Sequence, residues 1–278
     1  MTVVVKIGGA RAVDPAGALA DVAGLIADGE DVVVVHGGST AVDETLERLG
    51  MEPEYVETPG GVVGRFTDAA TMEVFEMAFG RLNTRLVSAL QNAGVNAVGL
   101  NGADGRLLTG PRKSAVRVVE GGKRKIRRGD HSGTIEDVNA ALLESLLANG
   151  YTPVAGPPML AAEDDERTEW TAVNTDADRA AAAIAAALGA TLVVLTDVPG
   201  ILEDPEDHGT LIGRVATPDE LEALEAVAEG FMGRKVMAAT EALEGGATEV
   251  VVADANADAP VSAALDGGGT HLLPGAVG

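Results

Sequence analysis

Two runs of β-branched residues, each stopping at a pair of glycines, lie about thirty residues apart near the start of the chain: Val3-Val4-Val5-Lys6-Ile7-Gly8-Gly9 and Val32-Val33-Val34-Val35-His36-Gly37-Gly38. A Val/Ile run without polar alternation is the pattern of a strand buried on both faces of a parallel sheet. Glycines at the end of such a strand let backbone N–H groups come close to an anion. Two such turns, with Lys6 set into the first strand, predict a site that grips phosphate from two sides. A buried lysine is costly unless it is paired or faces a ligand, so Lys6 either meets an anion beside Gly8-Gly9 or snorkels to the sheet edge.

The 278 residues suffice for one large α/β domain or two lobes. Strand-like and helix-like stretches alternate throughout, which predicts a mostly parallel sheet covered by helices. The chain has no cysteine, which excludes disulfides and thiolate sites. The longest apolar run, Ala180 to Leu195, is broken by Gly189 and too short to span a bilayer. No signal peptide is visible, and the expected location is cytoplasmic, with no membrane partner. The formal charge is −23, from 43 acidic and 20 basic residues. That balance fits an acidic soluble protein or one adapted to high salt, and its sign argues against nucleic acid as main partner.

Along the chain the pattern predicts strands at Thr2–Ile7, 31–35, 95–100, 151–155, 191–196, 249–252 and 271–273, and helices at about 14–27, 137–149, 176–188, 218–228 and 233–243. Ser39 or Thr40 is expected to cap the helix after the second glycine pair. Pro59 to Arg65 reads as a loop. From Asp68, the residues Met72, Phe75, Phe79, Leu82, Leu86, Leu90 and Ala93 recur at three- and four-residue spacing. They form either a core-facing stripe or a dimer seam. Residues 161–169 are polar and acidic and place a boundary between lobes at 1–170 and 171–278.

Later segments add charged groups. Asp176 and Asp178 stand at a helix start, where aspartates ordinarily cap, or where one could orient lysines around a phosphate. Lys235 begins a helix, against the dipole preference, which an anionic ligand would explain and a solvated lysine would not contradict. P-loop, dinucleotide and hydrolase-elbow motifs are missing, and the four histidines have no metal-ligand spacing.

In order and spacing, Lys6-Ile7-Gly8-Gly9, His36-Gly37-Gly38, Gly64-Arg65-Phe66-Thr67, Asn174 through Asp178, Thr196 through Gly200, and Gly233-Arg234-Lys235 resemble the amino acid kinase family, acetylglutamate kinase branch. The resemblance covers nearly the whole chain. It implies the carbamate-kinase-like α/β fold, a two-lobed, three-layer αβα sandwich with a mostly parallel sheet. It implies phosphoryl transfer from ATP, carried with Mg²⁺, to a carboxylate, the acceptor lying in the N-terminal lobe and ATP in the C-terminal one. Lys6 and Lys235 would stabilise the moving phosphoryl charge, and Asp178 would hold both lysines. Gly8, Gly9, Gly37 and Gly38 would donate backbone hydrogen bonds. Arg65 and Asn174 would hold the acceptor's carboxylate end, and Thr196, Asp197 and Gly200 would line the nucleotide. A homodimer is also implied. Two departures from the branch, Ser39 in place of a third glycine and Asp176 in place of asparagine, put free acetylglutamate in question as the acceptor.

One segment points outside the site. Between Arg112 and Arg128 lie eight basic residues (Arg112, Lys113, Arg117, Lys123, Arg124, Lys125, Arg127 and Arg128) and one acidic residue, 40% of the chain's basic residues in seventeen positions. Alternation around Gly121-Gly122 predicts a β-hairpin. It is either a solvated hairpin that offsets the acidic surface or a dock for an acidic macromolecule; no aromatic residue offers base stacking. In this the chain resembles the kinases of the carrier-protein route to lysine and arginine, in which the substrate is linked through its amino group to the C-terminal glutamate of a small acidic protein. That resemblance implies phosphorylation of carrier-bound glutamate or 2-aminoadipate. A free N-acetylglutamate kinase and a catalytically silent nucleotide-binding regulator are the alternatives.

Overall fold

A computed structural model describes residues 1–8, 15–61, 63–163, 167–228 and 230–278. The chain order is β1 (Thr2–Ile7), α1 (Pro15–Ala27), β2 (Asp31–His36), α2 (Ser39–Arg48), β3 (Tyr55–Glu57), β4 (Val63–Arg65), α3 (Ala69–Asn92), β5 (Ala97–Gly99), β6 (Leu108–Glu120), β7 (Lys123–Gly133), β8 (Asp137–Val138), α4 (Ala140–Ala148), β9 (Thr152–Ala155), β10 (Met159–Ala162), β11 (Trp170–Val173), α5 (Ala177–Leu188), β12 (Thr191–Thr196), β13 (Arg214–Val215), α6 (Pro218–Val227), α7 (Gly230–Glu244), β14 (Glu249–Asp254), α8 (Pro260–Leu265) and β15 (Thr270–Leu272).

Eight strands form the central sheet in the order β13-β15-β14-β12-β1-β2-β9-β5. Every pairing is parallel except β14 with β15. The apolar runs sit at its centre because each face is covered. Val3, Val5 and Ile7 pack with α1, α3 and α8, and Val4 points the other way, into the layer of α4, α5, α6 and α7. This is the three-layer αβα arrangement. By the two-residue period of a strand, Lys6 shares Val4's side and so faces α5 and α7. Strand β1 passes through α1 to β2, while its neighbour β12 passes through α6 and α7, on the opposite face, to β14. The carboxyl ends of β1 and β12 thus flank a reversal of strand order, the usual crevice for a ligand in an open α/β sheet.

A smaller sheet stands on this frame, ordered β11-β10-β6-β7 with β8 paired to β6. Its β6–β7 ladder extends from Arg112 opposite Gly133 to Glu120 opposite Lys123. Gly121 and Gly122 close it with φ of 57° and 74°, the geometry a two-residue type I′ turn demands.

Several expectations shift. Pro59 to Arg65 is not all loop: β4 pairs with β3. The helix expected from Asp137 starts at Ala140, because Asp137 and Val138 pair with β6 and Asn139 takes the cap. The helix after Gly37-Gly38 is capped by Gly38, with Ser39 as its first residue. The stripe on α3 faces inward, with Met72, Phe75 and Phe79 against α2 and Leu86 and Leu90 in the main core. Strand β11 pairs with β10, so the chain leaves the small sheet after Val173. Among the described residues, no helix is long and apolar enough to cross a membrane.

Candidate active site

A cleft of about 1230 Å³ opens at the carboxyl ends of β1, β2 and β12. Asp178 stands at its floor. It sits in the first turn of α5, whose cap Asp176 accepts hydrogen bonds from the backbone N–H of Asp178 (2.8 Å) and Arg179 (3.1 Å). That cap fixes the turn and aims Asp178 back at β1. Lys6 Nζ lies 2.7 Å from one carboxylate oxygen and Lys235 Nζ, from α7, 3.2 Å from the other. Their side chains are 6%, 14% and 14% exposed for Lys6, Asp178 and Lys235. Burial alone would raise the Asp178 pKa, but the two ammonium groups outweigh it and hold it at about 2. Burial, then the nearby Lys6 charge, lowers that of Lys235. Two cations thus converge on one anion, leaving a net positive charge at the base of the cleft.

The glycine turns divide their work. Gly8 and Gly37 line the cleft, and Gly9 lies outside the described residues. The N–H of Gly37 is already given to Ile7 O at 3.1 Å, so it is not a donor for a ligand. Gly38 lines the cleft at the amino end of α2, and a Cβ there would stand 2.9 Å from the Phe79 ring. Close approach of Phe79, not a positive φ, requires glycine. His36, buried beneath this turn, has its pKa lowered to about 4 by desolvation, against the opposing hydrogen bond to Gly37 O. The neutral ring donates from Nδ1 to that carbonyl (3.2 Å) and accepts at Nε2 from Asn83 Nδ2 (3.1 Å).

Arg65 lines the cleft, yet its guanidinium is held by the protein itself. It pairs with Asp43 and donates to Ser39 O and Oγ and to Tyr55 Oη, each at 3.0 Å. Asp43 and Tyr55 were not anticipated. Asp43 had a signal, standing one helical turn beyond Ser39 on the same face of α2. Asn174 also lines the cleft and donates to Thr67 Oγ1 at 3.0 Å. The buried Asp130, another unanticipated group, receives Thr67 N–H at 3.0 Å and the Ser132 hydroxyl, fastening the Gly64–Thr67 segment to β7. Thr196 and Asp197 line the cleft at the end of β12. Gly200 does not. It is buried where a Cβ would meet Leu211 and Thr270 at 2.6 and 2.8 Å, so its glycine is a packing requirement.

The basic hairpin divides likewise. Arg112 pairs with Glu163. Arg127 makes two bonds to Glu54 (2.6 and 3.1 Å) and stacks 4.3 Å over the Phe66 ring. With the buried Val118, it holds one face of the hairpin to the body. Lys113 lines the cleft instead of the outer surface. On the other face Arg124, Ile126 and Arg128 alternate with Arg117 opposite Ile126; Ile126 is 63% exposed. Arg117, Lys123, Arg124 and Arg128 form no ion pair with a described residue, and Lys123 and Lys125 are exposed near the turn.

The chain is similar in sequence and in fold to known proteins. The model of the amino acid kinase family matches residues 1–254. The "[LysW]-aminoadipate kinase" of Thermus thermophilus is 46% identical over 275 residues, covering 96% of this chain and 98% of the relative. The "[LysW]-aminoadipate/[LysW]-glutamate kinase" of Saccharolobus islandicus is 35% identical, covering 98% and 100%. A carbamate kinase structure from Giardia, 17% identical and covering 98% of both chains, superposes with a TM-score of 0.67 and shares the fold. With the family model matched over residues 1–254 and two relatives covered nearly end to end, this chain belongs to the amino acid kinase family.

Proposed function

We propose that this enzyme phosphorylates the side-chain carboxylate of glutamate or 2-aminoadipate held by a small acidic carrier protein, producing an acyl phosphate for arginine or lysine biosynthesis. The observation that carries phosphoryl transfer is the placement of Lys6 and Lys235 on one buried carboxylate at the switch point of the sheet. The names of the two kinases above support the carrier-bound acceptor.

When bound, ATP supplies the phosphoryl group, with Mg²⁺ entering as the nucleotide's counter-ion. Gly8, Thr196 and Asp197 line the nucleotide side of the cleft. Lys6 and Lys235 neutralise charge on the phosphoryl oxygens as the carboxylate oxygen–phosphorus bond forms and the bond to the departing ADP breaks. Asp178 pairs with both lysines and aims them, so little reorganisation is left for the reaction. The backbone at Gly38 and Ser39 donates toward the acceptor. Asn174 and Arg65 bind its carboxylate end, with Asp43, Ser39 and Tyr55 setting the guanidinium. The two halves, 1–170 and 171–278, serve acceptor and nucleotide. The exposed face of the hairpin docks the carrier through charge. In this reading the enzyme is a cytoplasmic homodimer whose acidic exterior suits high salt.

The test compares turnover on carrier-bound glutamate and aminoadipate with turnover on free N-acetylglutamate, trapping the acyl phosphate with hydroxylamine. A strong preference for the carrier-bound acceptors is expected. Equal or better use of free N-acetylglutamate would overturn the reading.

A further inference from the structure

Six cationic side chains line the cleft: Lys6, Arg65, Lys113, Arg179, Arg234 and Lys235. Five of them have an anion. Lys6 and Lys235 share Asp178, and Arg65 has Asp43. Arg179 binds both oxygens of Glu241, its Nε at 2.7 Å, and Arg234 lies 4.0 Å from Asp176. Lys113 alone has no ion pair or hydrogen bond with a described residue. It stands on β6, opposite Ser132 of β7, where the basic hairpin joins the cleft wall. Burial of part of its length, and then the charge of Arg179, lower its pKa; Asp130 and Glu241 offset this only in part. A cation held beside another cation, short of an anion and facing a ligand cleft, is a site for an incoming negative group.

The chemistry of the proposed acceptor supplies such a group. A glutamate that links a carrier to an amino acid spends one carboxyl in the amide and keeps the other. A free N-acetylated acceptor has a methyl group at that end and no charge. Substrate approaching along the hairpin enters the cleft past Lys113. We propose that Lys113 is the counter-ion of the carboxylate remaining on the carrier's linking glutamate, and thereby the residue that distinguishes a carrier-bound acceptor from a free N-acetylated one. The inference rests on the carrier-bound reading above and adds to it a specificity-determining contact inside the cleft, separate from docking on the outer face of the hairpin.

Three substrates test it with the hydroxylamine trap: carrier-bound aminoadipate, the dipeptide glutamyl-aminoadipate and N-acetyl-aminoadipate. The dipeptide keeps the linking carboxylate but cannot use the docking face. Loss of one charged hydrogen bond predicts that Lys113→Gln raises KM for the carrier-bound and dipeptide substrates roughly tenfold to a hundredfold. With kcat little changed, the loss is one of binding. Their advantage over the acetyl substrate shrinks by the same factor, and Lys113→Arg restores most of it. An equal KM rise for the acetyl substrate, a matching rise in KM for ATP, or no rise at all overturns the assignment. A wild-type enzyme that does not prefer the carrier-bound acceptor fails the underlying reading instead, and the two failures are distinct.

Discussion

Replacing Asp178 with asparagine removes the one anion between Lys6 and Lys235 and keeps the side chain's shape. The magnitude follows from two observations. The Asp178 pKa is about 2 against an ordinary 3.8, a difference near two units, or about 2.5 kcal/mol of preference for the ionised form in the folded site. Lys6 is also buried, 5% exposed, and breaking a buried pair on one side costs about 3–5 kcal/mol. Asp178→Asn is therefore expected to lower stability at neutral pH by about 3–4 kcal/mol, read as the shift in urea midpoint by far-UV circular dichroism. The sign of the pH dependence is set. A carboxyl whose folded pKa is depressed contributes its full stability above the unfolded pKa near 4 and loses it as pH falls toward 2. The gap between wild type and variant thus narrows on acidification. Adding Lys6→Met to Asp178→Asn should recover about 2 kcal/mol relative to the sum of the single changes, since the stranded charge is gone. A loss below 1 kcal/mol at pH 7, or strict additivity in the double variant, refutes the reasoning.

Gly38→Ala brings a Cβ to 2.9 Å from the ring of Phe79, which is stacked on Phe75 at 4.2 Å and cannot yield; thermal denaturation should show a cost of about 1–3 kcal/mol, largely relieved by adding Phe79→Leu. His36 has a folded pKa of about 4, below its unfolded 6.5, so the unfolded chain takes the proton first. Stability should then fall by about 3 kcal/mol as pH drops from 6.5 to 4, and urea midpoints of His36→Gln should show a shallower slope over that window. Arg124→Glu with Arg128→Glu should raise KM for the carrier-bound acceptor about tenfold or more with little change in kcat, the difference shrinking as salt is added; a salt-independent effect would point away from docking.

Seven of the central sheet's eight strands were legible, most of them as β-branched runs buried on both faces, whereas the two-residue β13 was not. The small sheet was legible only in part. The β6–β7 hairpin announces itself through Gly121-Gly122, whereas β10, β11 and β8 are two- to four-residue strands made by pairing across the fold, and no local pattern of that length separates strand from loop. Site residues split along the same line. Lys6 and Asp178 lie at conspicuous positions, a lysine inside an apolar strand and a charge in the first turn of a helix, whereas Lys235 sits in the second turn of α7, which begins at Gly230 and not at the expected Gly233. Asp43, Tyr55 and Asp130 act through partners 22, 10 and 63 residues away, and of the three only Asp43, one turn beyond Ser39 on α2, left a local trace. Gly200 poses the converse difficulty, since a glycine beside a ligand and a glycine under a packed threonine look alike in one dimension.

The basic hairpin shows how far simple geometry could have gone. Eight charges in seventeen positions suggest a single patch because linear density ignores faces. A strand sends alternate residues to opposite sides, so Lys123, Lys125 and Arg127 cannot share a surface with Arg124, Ile126 and Arg128. One set must face the body if the hairpin packs at all, and an anchoring face needs an apolar residue. Val118, opposite Lys125, meets that need on the Arg127 side, where Phe66 and Glu54 receive the guanidinium. The other face is left with Arg117, Arg124 and Arg128 around an exposed Ile126, a basic rim with an apolar centre, the composition expected where an acidic partner must be both attracted and held. Lys113 belongs to neither face. It lies across the bulge between Lys113 and Ala115, where the register shifts, and a bulge re-aims a side chain. That irregularity separates the hairpin lysine in the cleft from the six basic residues beyond it, Arg117 to Arg128.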